Sequence, residues 1–389
     1  VSVSRFFNRF LFLLLAAGLL SGGGPSPGEA AERLNIAQVS YLPSRTYVEV
    51  SREFQRMRRL GYDTVALRVF HNRGDRYYPF IAPRAEAGVY FATGQAPVVA
   101  DILTPLIPLA RAAGLRVYAW AGTLRTVLDG SGDLRDRRFD LASGQVLPTD
   151  TLDPFHPEVR RRLQTLFADL ARYDLDGILL QDDLVLRHTQ GFSATALAAY
   201  RRYGGRLPDP EDFYRDSRKM EDGRVRVGFY SPSFYRWSQW KCRVLMDLAA
   251  ALRNSVRQVD PDIRLVFNLP YEILSNPRGA LAWFSLDLSE VRKTGFDYLG
   301  LMLYHRQMSK ELGLSGEQAE KLVGQLVAQG SESLASPEEL LVKLQVIDFD
   351  SLEQIAPAEL KRVARIVGER PVSRAWFPYT GSTGIFSIE

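Results

Sequence analysis

Residues 175–186 read LDGILLQDDLVL. A run of buried character goes straight into two adjacent aspartates. Neighbouring carboxylates repel each other, and neither belongs inside an apolar strand. The placement makes sense where a core strand of a parallel sheet surfaces at its C-terminal end, the rim on which α/β barrels build their sites. Ile178, Leu179 and Leu180 then enter the core, and Gln181, Asp182 and Asp183 emerge at the rim.

Working outward, seven more strand-like runs share this character: 34–42, 64–70, 116–122, 264–270, 296–303, 340–348 and 374–380. Amphipathic stretches with helical spacing separate them. One ends on Gly61 and another on Gly114, good residues for closing a helix, and a third has Pro157 in its first turn. Strands alternating with helices predict a parallel sheet with helical crossovers, and eight is the count that closes a (β/α)8 TIM-type barrel. The alternative is an open doubly wound sheet, but the Gly-rich phosphate fingerprint expected after its first strand is missing. Two insertions follow strands 2 and 4. Residues 71–99 carry Tyr77, Tyr78, Phe80, Tyr90 and Phe91; residues 184–231 carry Phe213, Tyr214, Phe229 and Tyr230. These aromatics serve either as sugar-stacking platforms or as the small cores of the loops themselves.

The chain has 389 residues, 46% hydrophobic and 24% charged, as a folded globular protein should. Its formal net charge is +4. The arginines fall in short scattered groups, such as Arg56, Arg58 and Arg59 or Arg160, Arg161 and Arg162, with no continuous basic stripe and no nucleic-acid reading motif. Cys242 is the one cysteine, so no intramolecular disulfide forms, and its helical, apolar context predicts a buried, unreactive thiol. At the N-terminus, Arg5 and Arg9 precede a short apolar run and a small-residue zone ending near Ala30 or Ala31. This is the layout of a cleavable signal peptide over 1–31, with an uncleaved anchor as the alternative. It predicts a periplasmic or secreted protein with one barrel domain over 32–389.

Two close carboxylates can push their pKa values apart, which suits glycosidic bond cleavage by an acid and a charge-stabilising partner. Other acidic candidates for the rim are Asp153, Glu272, Asp348 and Asp350. His71, His156, His188 and His305 form no close metal-binding pair, and neither a GxSxG elbow nor a Walker loop occurs. No metal or cofactor is expected. His71 and His305 both follow strands, so each is a candidate to face the cleft, the alternative being a solvated or hydrogen-bonded loop histidine.

Several segments, in this order, carry a resemblance: YLPSRTYVEVSREFQRMRRLGYDTVALRVF, RVYAWAGTL, LDPFHPEVRRRLQTLFADLARYDLDGILLQDD, WSQWKCRVLMDLAAALR, LAWFSLDL and RAWFPYT. Together they resemble the C-terminal hydrolase-like domain of bacterial poly-β-1,6-N-acetyl-D-glucosamine N-deacetylases of the PgaB type. The resemblance implies a (β/α)8 barrel that binds partly deacetylated poly-N-acetylglucosamine and hydrolyses it as an endo-β-1,6-glucosaminidase. The family's His-Asp-Asp motif at the end of strand 4 maps onto Gln181, Asp182 and Asp183. It implies an acidic residue of this pair as the catalytic acid; the expectation here is Asp183 as general acid, with Asp182 orienting it or stabilising positive charge at the anomeric carbon. Tyr118 and Trp120 match the aromatic run that lines the family's groove. His71, Glu272, Tyr304, His305 and Trp376 complete the expected substrate-binding set. Glutamine replaces the motif histidine, and Arg73 and Arg76 stand in the loop after strand 2 where the family is acidic. The sequence thus leads to an exported glycoside hydrolase acting on an amino-sugar exopolysaccharide. The alternative is a non-catalytic carbohydrate-binding barrel, and a partner in envelope polysaccharide-export machinery is a further expectation.

Overall fold

The computed structural model describes residues 32–130, 132–204, 206–221 and 223–381. The expected signal peptide at 1–31 lies outside them. Eight parallel strands close into a barrel: β1 (Asn35–Val39), β2 (Thr64–Arg68), β3 (Arg116–Ala121), β4 (Gly177–Leu180), β5 (Arg264–Pro270), β6 (Tyr298–Met302), β7 (Leu340–Gln345) and β8 (Ser373–Phe377). Each pairs with its neighbours in sequence. Closure is made by β1, where Ala37 faces Val65 of β2 on one side and Trp376 of β8 on the other.

Strand alternation divides the apolar residues into two sets. Val39, Leu67, Val117, Ile178, Leu265, Leu301, Val342 and Trp376 point outward into the core beneath the helices. Ile36, Ala66, Tyr118, Trp120, Leu179, Val266, Tyr298, Leu341 and Ala375 fill the lumen. Burial on both faces is why these strands read as continuous apolar runs rather than as alternating ones.

Seven helices make the crossovers: α1 (Tyr47–Arg59), α2 (Leu103–Ala112), α3 (Pro157–Leu170), α4 (Pro232–Val259), α5 (Pro277–Phe284), α6 (Gly316–Glu332) and α7 (Pro357–Gly368). Their ends carry local signals. The Thr46 hydroxyl accepts from the Glu49 N–H at 3.2 Å to start α1, and Gly61 leaves it in the left-handed region at φ 90°. Pro157 occupies the first turn of α3, and Ser231 caps α4 by accepting from the Phe234 N–H at 3.1 Å. An antiparallel hairpin between β3 and α3, Arg135–Asp140 with Gln145–Leu152, is an addition that strand patterning did not reveal.

The lumen is packed to its limit at its N-terminal end. A methyl group added at Gly177 would lie 2.4 Å from the Tyr118 ring, which faces it across the β3–β4 ladder. Gly177→Ala is therefore expected to destabilise the barrel by about 1–3 kcal/mol through overpacking. Urea unfolding measures this directly; a midpoint equal to that of the parent chain would show that the ring moves aside freely.

Both insertions stand on the rim, and most of their aromatics form loop cores rather than platforms. Tyr78, Tyr90 and Phe91 are buried, and Tyr78 stacks on Phe80 at 5.3 Å. Phe213 and Tyr214 pack on Phe234 of α4, and Phe213 also reaches Trp237. Lys241 of α4 reaches up to donate to the carbonyl oxygens of Arg187 and Gln190 at 3.1 Å each, pinning the second insertion to the barrel. Cys242, next to it, is fully buried, which pushes its thiol up to about 12, in line with an unreactive role.

Candidate active site

Where β4 ends, its three polar residues part company. Asp183 turns down and is 6% exposed. Its carboxylate accepts from the Thr123 N–H at 3.0 and 2.9 Å, from the Thr123 hydroxyl at 2.5 Å and from the Arg125 N–H at 2.8 Å. Burial pushes this carboxyl up while these donors pull it down. Both oxygens are already filled by donors, so a proton on either would have to displace one. Asp183 acts as a clamp on the loop that leaves β3. The net shift is upward, the direction a general acid needs, while the donors around it hold both oxygens in a structural role.

Asp182 turns the other way and is exposed at the barrel mouth. The floor beside it is aromatic. Trp120, from the C-terminal half of β3, donates from Nε1 to Gln181 Oε1 at 2.6 Å. Its ring meets Phe70 and Phe377 edge-on, each with centroids 5.4 Å apart. Tyr304, just past β6, packs edge-on against Phe349 at 5.2 Å and lies in the field of Asp182. Lys343 of β7 completes the floor: its Nζ lies 6.0 Å from the Trp120 ring and 5.8 Å from the Phe377 ring. Burial pushes this ammonium down to about 8, and the charge of Asp182 pulls it back up.

A second carboxyl comes from β5. Glu272 opens the short helix that follows this strand. Burial pushes its carboxyl up, Glu311 adds to the rise, and Arg187 opposes it. The Arg187 guanidinium, set over the Phe284 ring at 4.8 Å, is acted on by both Asp182 and Glu272. Two carboxyls in unlike surroundings around one guanidinium can divide acid and charge-stabilising roles between them.

The structure gathers Trp120, Gln181, Asp182, Glu272 and Tyr304 about the mouth and removes four expected members. Tyr118 sits deeper in the lumen, opposite the first residue of β4, among Arg116, Asp176 and Tyr298, because it lies one inward position below Trp120. Trp376 is on the outward register of β8 and donates to Asn35 Oδ1 at 3.0 Å beneath the helices. His71 is locked in the first insertion, where its Nδ1 meets the Tyr90 hydroxyl at 2.6 Å and its ring stacks on Tyr77 at 4.3 Å. His305 turns outward to Glu359 of α7, 2.8 Å from its Nε2. The other acidic candidates are structural: Asp153 accepts from the Ser193 hydroxyl at 2.7 Å, and Asp348 accepts the Asp350 and Ser351 N–H groups at 3.0 and 3.1 Å. Among the described residues no three His, Cys, Asp or Glu side chains are grouped to hold a metal ion.

Sequence reasoning missed Lys343, Arg187 and Phe377. The signal for Lys343 was present: a lysine within LLVKLQ, a strand buried along its whole length, must have a special reason to be there.

Comparison with known proteins matches residues 43–377 to a family model described as hypothetical glycosyl hydrolase family 13. The chain belongs to that family. Poly-beta-1,6-N-acetyl-D-glucosamine N-deacetylase of Escherichia coli (strain K12) is 25% identical over 229 residues, covering 55% of this chain and 30% of the enzyme. The chain thus spans less than a third of the length of that curated relative. Among solved structures, the PgaB (BpsB) glycoside hydrolase domain from Bordetella bronchiseptica superposes with a TM-score of 0.68 at 24% identity, covering 89% of this chain and 94% of that one. The catalytic domain of β-amylase from Paenibacillus polymyxa follows with a TM-score of 0.58 at 12% identity, covering 92% and 95%. These structures show the same (β/α)8 barrel fold, and the family model places the chain among glycosyl hydrolases.

Proposed function

We propose that this member of the family hydrolyses an exopolysaccharide of amino sugars related to poly-β-1,6-N-acetylglucosamine, outside the cytoplasm. The observation that carries the reading is the pair Asp182 and Glu272, set on adjacent strand ends around Arg187 at an aromatic-floored barrel mouth. Glu272, with its raised carboxyl, holds the proton that goes to the glycosidic oxygen. Asp182 faces the positive charge that develops at the anomeric carbon. Phe377, half-buried at the mouth, offers apolar surface for a sugar ring, with Trp120 packed beneath it. The polymer is supported by the E. coli relative, which is named for acting on it. Export and contact with envelope polysaccharide-export machinery rest on the N-terminal residues, and cell fractionation with co-purification checks both.

The decisive experiment incubates the protein with acetylated and partly deacetylated β-1,6-glucosamine oligomers and reads products by mass spectrometry and new reducing ends. Shorter oligomers are the expected result. Saturable binding without new ends would instead identify a carbohydrate-binding barrel, the reading favoured by the structural use of Asp183. Glu272→Gln is expected to reduce turnover by about 10²-fold or more. The parent chain should lose activity as pH rises through the raised Glu272 pKa, because only the protonated carboxyl donates. That alkaline limb should be absent from the residual activity of the variant; if it persists, the acid is another group.

A further inference from the structure

We propose that the sugar bound at the barrel mouth carries an anionic oxygen group, with Lys343 as its counter-ion and Arg125 and Arg187 beside it. The inference rests on the glycan-binding reading above and names the charge of the ligand. Lys343 is 2% exposed, and its Nζ makes no hydrogen bond or ion pair within 4.0 Å among the described residues. A buried ammonium left in this state is costly, and an arriving anion would relieve the cost. The single carboxylate whose field reaches it is Asp182, which the proposed chemistry needs for itself.

Further polar groups in the lumen wait for a partner. Pro270, Met302, Lys343, Ala375 and Ile36 form one rung of the sheet. One inward position below this rung is Asn268 and one above is Gln38, 4% and 0% exposed, and in each both amide atoms lack a hydrogen-bond partner. Buried amides are normally satisfied, so such groups mark a place where a polar ligand or water completes the network. At the entrance, Arg187 is exposed, and Arg125, 4.0 Å from Asp150, adds further positive charge. Guanidinium groups favour a carboxylate, sulfate or phosphate oxygen as partner. A free amine on the same sugar would be repelled by all three cations.

The test is isothermal titration of the full chain with three probes: β-linked oligosaccharides containing a hexuronate, the same oligosaccharides after carboxyl reduction, and O-sulfated neutral oligosaccharides. At least tenfold tighter binding of the hexuronate than of its reduced form is expected, and Lys343→Met should erase most of that difference by weakening the hexuronate far more than the reduced form. A preference for the sulfated probe alone would place the anion on an ester rather than on a carboxylate. Should Lys343→Met not fold, Arg187→Gln, whose side chain is exposed, is expected to weaken the anionic probes severalfold more than the reduced form. Equal binding of charged and reduced probes overturns the inference, as does a Lys343→Met variant that weakens all probes alike, since the lysine would then only tune Asp182. Hydrolysis of neutral amino-sugar oligomers with no anion preference would overturn this inference and leave the proposed function standing; binding to none of the three probes overturns this inference, and the proposed function falls only if the amino-sugar oligomers are neither bound nor cleaved.

Discussion

Asp182→Asn is expected to lower glycan hydrolysis by about 10²–10⁴-fold, the range spanned by a single acid–base or charge-stabilising group. The same variant should unfold close to the urea midpoint of the parent chain, losing only the field that Asp182 exerts on the buried Lys343. Asp182 is exposed, and among the described residues its side chain takes part in no hydrogen bond or ion pair whose loss would weaken the fold. Reducing-end assays and urea unfolding of one preparation report both quantities. Full activity in this variant would remove Asp182 from the chemistry and would leave the barrel mouth with Glu272 as its one acid in the field of Arg187.

The neighbouring aspartate should behave in the opposite way. Asp183→Ala takes the acceptor away from two backbone N–H groups and one hydroxyl, all in the loop that leaves β3. Each buried donor left without a partner costs about 1–3 kcal/mol, so a loss of about 3 kcal/mol or more is expected after partial relaxation. Asp183→Asn keeps one acceptor oxygen but turns an amide N–H₂ toward donors, and it should fall between. Gly122 allows little slack: a methyl group there would come within 3.1 Å of the Thr126 hydroxyl and 3.8 Å of Asp183 Oδ2. Urea unfolding is the measurement. If Asp183→Asn instead abolishes turnover at unchanged stability, the acid is Asp183 and the assignments of the two aspartates exchange.

The barrel was legible because its signals are local. Runs of four to seven buried residues, strands separated by capped amphipathic helices, and the count of eight strands needed no long-range information. The hairpin before α3 escaped because residues 135–152 are polar and partly exposed, with no apolar face to betray a strand. The rim position of the doublet was likewise legible from the end of an apolar run.

The sequence by itself determined the closed (β/α)8 architecture, the strand that delivers Asp182 and Asp183, and the presence of Trp120 at the mouth. The division of labour within the doublet was decided only in three dimensions. Adjacent residues at a strand end face opposite ways, and the loop after β3 chose which carboxylate to clamp. The same holds for Trp376 and Tyr118, whose aromatic character says nothing about register; one position along β8 or two along β3 moves a ring from cleft to core. Lys343, Arg187 and Glu272 come from segments 71 to 156 residues apart, and strand order alone brings them to one opening.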